Sequence, residues 1–248
     1  MVASLFVRLT KNVGFKFSNR ITMMNFQEYK DHLQQEGHEM FNLCRKQLEN
    51  AREAFLNHDN DLAEEVVRTE ARVNALDLKI DRDCERFIAL HTPVAGDLRF
   101  VLALRKINFD LERVGDHAYG ISNFIIHIDQ PVTQDQMEKL QFREMYDGAL
   151  SMLDDITSAY EEGDTKLARK VFKKDKLLNQ INENAVAVIA EEVRKDPNTI
   201  EQYLLLFSVI KKLERIGDLV TNIAEEIIFH RKAEVLKHKK KKPGKKKE

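Results

Sequence analysis

The chain has 248 residues, 43% of them apolar and 33% charged, with 9 Gly, 4 Pro and no Trp. That composition can bury a full core as one domain or two, and it suits long helices better than a strand-rich fold. No apolar run approaches the roughly 20 residues that span a bilayer, so the expectation is a soluble, cytoplasmic protein without a transmembrane helix.

The net charge of −1 hides a segregation. Residues 1–24 carry Arg8, Lys11, Lys16 and Arg20 and no acid, giving +4. Residues 237–248 carry eight Lys and one Glu, giving +7, which leaves −12 for residues 25–236. The body is acidic and both ends are basic. The first 24 residues mix Arg, Ser and Phe and read as a disordered extension, with a transit-peptide-like composition as the alternative. The final HKKKKPGKKKE run is too densely charged to pack; it reads as a disordered tail, either merely solubilising or attracted to anionic surfaces.

From Asn25, which with Glu28 makes a capping pair, the apolar period is helical through Phe26, Tyr29, Leu33, Met40, Leu48 and Phe55. Asn57-His58-Asp59 ends this helix, and Asp59 can cap the next, which runs to His91. Pro93 and Gly96 make a turn into a third helix ending near Ile128. Asp129-Gln130-Pro131 breaks the chain, and Thr133 with Gln136 offers a second capping box. The pattern then repeats, with Gly163-Asp164 where His58-Asp59 stood and Asp196-Pro197-Asn198 replacing the Pro93 turn. The expected fold is all-α: two tandem three-helix bundles of six long helices, residues 25–130 and 131–236. Cys44 and Cys84 lie inside helical patterns without metal-ligand spacing, so they read as buried free thiols of a reducing compartment.

The third helix of each half carries the same block. Leu111–Ile121 reads LERVGDHAYGI and Leu213–Ile223 reads LERIGDLVTNI. Glu112 and Asp116, like Glu214 and Asp218, are four residues apart and share a helix face. At about 100° per residue, Val101, Phe109, Gly115 and Tyr119 fall on the side of the first acid pair. Arg99, Lys106, Arg113 and His117 fall on another, solvent-like side. Gly115 and Gly217 sit mid-helix at a cost of about 1 kcal/mol each against Ala, which close approach of a neighbouring helix would explain. On the preceding helix Glu70, Asn74 and Asp77 share a face; Asp175, Asn179 and Asn182 are their equivalents 105 residues on. Oxygen-only ligands of this kind favour Mg²⁺, Ca²⁺, Mn²⁺ or iron over zinc or copper. The plain alternative is that the motif acids hydrogen-bond within the bundle, for example to Asn108 or Arg105. A surface or interface role suits His117 better than ligation, and Glu226 with His230 reads as an ordinary i, i+4 pair. No nucleophile elbow, phosphate-cradling Gly loop or HExxH motif argues for an enzyme.

The doubled LERxGD block, with Pro93, Asp97, Leu98 and Arg99 at the start of the third helix, resembles the PhoU family of phosphate-transport regulators over roughly residues 25–236. The resemblance implies a regulatory adaptor, not an enzyme, that restrains high-affinity phosphate uptake when phosphate is ample. Its implied partners are a phosphate ABC transporter, a membrane sensor histidine kinase and a second copy of the chain as a homodimer. It also implies a metal site, since family members pair an E/D-x-x-x-D motif with the LERxGD acids. Here Asn74 and Asn179 stand in place of the second acid. The expected ligands are therefore Glu112, Asp116, Asp77, Glu70 and Asn74, more weakly Glu214, Asp218, Asp175 and Asn179, holding Mg²⁺, Mn²⁺ or Fe. A di-metal carboxylate store or enzyme on a helical bundle is the alternative, although its usual Glu-x-x-His motif is absent. The acidic body argues against specific nucleic-acid binding and leaves the tail at most a salt-sensitive contact.

Overall fold

The computed structural model describes residues 24–128 and 130–236. The expectations for residues 1–23 and for the tail from residue 237 lie outside this range. Helix α1 spans Phe26–Asn57, α2 Asn60–His91 and α3 Ala95–His127. The second half contains α4 (Gln134–Lys139), α5 (Phe142–Glu162), α6 (Thr165–Lys195), a 3₁₀ turn at Pro197–Thr199 and α7 (Ile200–Lys232). There is no strand among the described residues, and no described helix is long and apolar enough to cross a membrane.

The helix ends follow local chemistry. Asn25 and Glu28 form the reciprocal capping box, each side chain bonding the other's backbone N–H at 3.0 Å. His58 closes α1 in the left-handed region at φ 53°, and Asp59 caps α2 by accepting from the Leu62 N–H at 2.9 Å. Thr133 and Gln136 form the second box, and Gly163 at φ 67° closes α5 before Asp164 caps α6.

One expected helix is broken. The first helix of the second half divides at Leu140–Gln141, with Gln141 at φ 49°, so seven α-helices stand where six were expected. Met137, Leu140, Phe142 and Met145 are all buried. On a continuous helix Leu140 and Phe142 would point about 200° apart, and one of them would face solvent. The break lets both enter the core.

The two three-helix units pack antiparallel on one another. Along α1 and α5, Arg45 bonds Asp154 at 2.6 Å and Arg52 bonds Asp147 at 2.7 Å, while Phe41 meets Tyr160 and Phe55 stacks on Phe142 with centroids 4.9 and 4.6 Å apart. Along α3 and α7, Phe100 lies against His230 and Lys106 reaches Glu226 at 3.1 Å. A single buried apolar cluster runs through both units. The motif helices α3 and α7 thus sit between their own bundle and the other one, which decides what surrounds the acids.

Candidate functional site

Each motif glycine lies close beneath neighbouring side chains: Gly217 makes room for the Asp175 carboxylate of the preceding helix, and Gly115 for Gln47 of α1 and Val73, with the Glu70 carboxylate in ordinary contact beside them. A Cβ on Gly115 would lie 2.9 Å from Gln47 Oε1, 3.2 Å from Val73 Cγ1 and 3.5 Å from Glu70 Oε2. A Cβ on Gly217 would lie 2.9 Å from both Asp175 Oδ1 and Leu178 Cδ2. Glu70 and Asp175 are equivalent positions of the repeat, so the same cradle is built twice. This is the close approach that offsets the helix-propensity cost of glycine.

In the first bundle Glu70 is buried, and Gln47 of α1 donates to its Oε2 at 3.1 Å. Burial raises the Glu70 pKa, with the nearby Asp116 carboxylate adding to it. Glu112 is half-buried and is pushed up to about 7, by burial first and then by Asp116, Asp77 and Glu70. Asp77 is raised by burial and by Asp81, while Asn108 opposes this by donating to its Oδ1 at 2.7 Å. Asn74 is exposed and within hydrogen-bonding reach of Glu70. Neither partner considered for the motif acids takes that role: Asn108 serves Asp77, and Arg105 pairs with Asp81 and Glu85. Glu112 and Asp116 have no ion pair among the described residues. Three buried oxygens here, Glu70 Oε1, Gln47 Oε1 and Asn108 Oδ1, have no hydrogen-bond partner.

The second bundle differs in charge. Asp175 is raised by burial and then by Asp218, and Asn179 donates to its Oδ2 at 2.8 Å. Glu214 lies within 3.9 Å of Lys211 and 3.7 Å of Arg215, and Asp218 within 3.4 Å of Arg215. Local cations therefore offset these acids. Asn179 uses its amide to hold Asp175, which turns its donor end toward the acid. Asn182 is half-buried.

A hard cation fits the first cradle on chemical grounds, because all its donors are oxygens, its carboxylates repel one another and several acceptors are orphaned. The donors are more spread than in a closed site. Among the described residues, three Asp, Glu, His or Cys ligand atoms all within 4.8 Å of one another occur elsewhere, at His32, Glu36 and Asp83. Sequence reasoning missed that group. Its only local signal was the i, i+4 spacing of His32 and Glu36 on α1; Asp83 comes from α2. Lys79 already contacts both acids, lying 3.5 Å from Asp83, and Arg86 lies 3.3 Å from Asp83.

The PhoU domain family model matches residues 38–125 and 142–227, taking in both glycine–acid cradles. The chain belongs to the PhoU family. It is 30% identical over 220 residues to the phosphate-specific transport system accessory protein PhoU of Edwardsiella tarda, covering 89% of this chain and 90% of that one. It is 31% identical over 199 residues to the protein of the same name from Escherichia coli K12, covering 80% and 82%. The crystal structure of PhoU from Pseudomonas aeruginosa superposes with a TM-score of 0.75 at 27% identity, over 83% of this chain and 98% of that one. Within the two matched regions the LERxGD blocks occupy equivalent places of the repeat, each on the third helix of its bundle.

The side of α3 expected to face solvent is partly covered by the other bundle. His117 has its pKa held down to about 4, by burial first, then by Lys212 and Arg113, with Asp116 opposing. Glu226 pairs with Lys106 and His230 packs at a tilt against Phe100, both contacts crossing the bundle interface. Phe109, expected on the apolar side, is 60% exposed with Arg113 over its ring. An unfolded histidine protonates near 6.5, whereas folded His117 resists until about 4. The unfolded chain therefore binds more protons between these values, and stability falls as pH drops from about 6.5 toward 4. His117→Gln is expected to flatten this fall, as read by urea unfolding at pH 7 and pH 5. An unchanged slope would assign the acid loss to other groups, His230 first.

Proposed function

We propose that this PhoU-family protein is a non-catalytic regulator of phosphate homeostasis, restraining high-affinity phosphate uptake and its two-component signalling when phosphate is ample. The observation that carries the reading is the glycine–acid cradle built twice, in a chain whose relatives are named accessory proteins of a phosphate-specific transport system. Its partners would be a phosphate ABC transporter and a membrane sensor histidine kinase in the cytoplasm, with a homodimer as the working form. A groove of about 670 Å³ beside the first motif, lined by Asp77, Arg105, Phe109, Arg113 and Glu226 among others, supports docking there. The Lys-rich tail would add peripheral attraction to anionic membranes. The test is genetic: deletion should derepress a phosphate-starvation reporter in phosphate-rich medium, and unchanged output with normal transport would refute the proposal.

Within that reading the first cradle is a site for Mg²⁺, Mn²⁺ or iron held by Glu112, Asp116 and Asp77, with Glu70 and Asn74 as further candidates. The bound cation would supply positive charge that neutralises the clustered carboxylates. The second cradle, with Glu214, Asp218, Asp175 and Asn179, already has Lys211 and Arg215 beside it and should bind more weakly. Mn²⁺ calorimetry on wild type, Asp116→Asn and Asp218→Asn separates the two. Asp116→Asn is expected to remove the tighter phase and Asp218→Asn to leave it. The reverse pattern would place the site in the wrong bundle, and no heat at millimolar Mn²⁺ would make the acids structural.

A further inference from the structure

A cavity of about 110 Å³ opens between the two bundles where α1 and α3 begin and α7 ends. Lys30, Gln34, Phe100, Tyr160, His230 and Arg231 contribute to its wall. Its floor is apolar and its mouth carries uncompensated positive charge. Lys30 is offset by Asp97 at 2.7 Å. Arg231 has no hydrogen bond or ion pair among the described residues, and its guanidinium lies against Gly163, where a Cβ would be 2.5 Å from the central carbon. Arg99 Nε is buried without a partner. These groups converge on His230, whose pKa is held down to about 4 by burial first and then by Arg231, Lys30 and Arg99, with Asp97 opposing. Three cations and one carboxylate therefore face one imidazole, which stays neutral at physiological pH and keeps both donor and acceptor capacity.

We propose that this inter-bundle cavity binds a phosphate group, a tetrahedral oxyanion with at least two unesterified oxygens, held by Arg231 and Lys30 with His230 donating, while Arg99 adds positive charge on the far side of His230. The volume is several times the roughly 30 Å³ share of a liquid water, so a five-atom ion with some of its hydration fits. Unpaired guanidinium forks match phosphate oxygens better than they match a monovalent halide. The site deepens the proposed function and rests on that reading for its biological sense, while its geometry stands apart from the motif acids.

The test uses the full chain in chloride buffer at constant ionic strength. The His230 imidazole signal, assigned by loss in His230→Gln, is followed by NMR during titration with inorganic phosphate, with sulfate as the control ion. A saturable His230 shift is expected with phosphate and a weaker one with the less basic sulfate, together with a rise in the His230 titration midpoint. Arg231→Gln should weaken the response about tenfold or more, and Arg99→Gln does the same service if the first variant loses its circular dichroism signal. Sedimentation with phosphatidylcholine vesicles containing phosphatidic acid reads the lipid-borne source. Arg231-dependent sedimentation without a response to free phosphate supports the site and assigns it to a headgroup. No response in either arm, an equal response to sulfate, or binding indifferent to both arginine variants would overturn it. Repression that persists in vivo while phosphate fails to bind sinks this site alone; binding without any effect of gene deletion sinks the regulatory reading alone.

Discussion

Replacing Phe142 with alanine is expected to cost about 3–5 kcal/mol of stability, the range for emptying a buried aromatic site. Phe142 is fully buried, stacks on Phe55 of α1 at 4.6 Å and tilts against Tyr146 at 5.8 Å. It also follows the break at Gln141 that allows both Leu140 and Phe142 to face inward. Because Phe55 belongs to the first bundle and Phe142 to the second, the loss should fall on both at once. Thermal unfolding should remain one transition, lowered by at least about 6 °C at roughly 2–4 °C per kcal/mol for a chain of this size. Two separated transitions, with only the second bundle affected, would show that the bundles do not share one core.

Lys79→Met is expected to cost about 1–2 kcal/mol at neutral pH, below the range for breaking a fully buried ion pair because the Lys79 side chain is 41% exposed while both acids are buried. Glu36 and Asp83 are 3% and 2% exposed, and Lys79 contacts both. Methionine keeps the apolar stem and removes the charge. Arg86 at 3.3 Å from Asp83 and His32 at 3.1 Å from Glu36 remain, which keeps the loss from being larger. Changing Glu36→Leu and Asp83→Leu along with Lys79→Met should recover most of the stability, because a packed apolar replacement leaves no stranded charge. Urea unfolding at neutral pH reads this. A loss below about 1 kcal/mol for the single variant would mean that solvent reaches the acids.

What the sequence displayed was local or repeated. The capping boxes at Asn25 and Thr133, the turn at His58-Asp59 and the duplicated LERxGD block all rest on residues a few positions apart, and the structure has them. The mid-helix glycines announced close approach, and Gln47 and Val73 at Gly115, with Asp175 and Leu178 at Gly217, are what approach. What stayed hidden depends on the second bundle. A helical wheel drawn for one bundle assigns Lys106 and His117 to solvent, but α7 covers that side of α3, while Phe109 on the nominally apolar side is left exposed. The break at Leu140–Gln141 follows from packing two out-of-phase apolar residues into a shared core, which short-range periodicity does not reveal. The group of His32, Glu36, Lys79 and Asp83 joins two helices through charges that singly read as ordinary surface residues.

On the proposed function, the acids of the two motif copies carry the regulation. The direct test is complementation of the deletion strain, in phosphate-rich medium, by wild type and by a variant carrying Glu112→Gln, Asp116→Asn, Glu214→Gln and Asp218→Asn. These near-isosteric changes keep the helices and remove the charge, and matched circular dichroism and protein levels would show that the fold survives. Wild type is predicted to restore repression of the phosphate-starvation reporter, and the variant to leave it derepressed. Full repression by the folded variant would contradict the account.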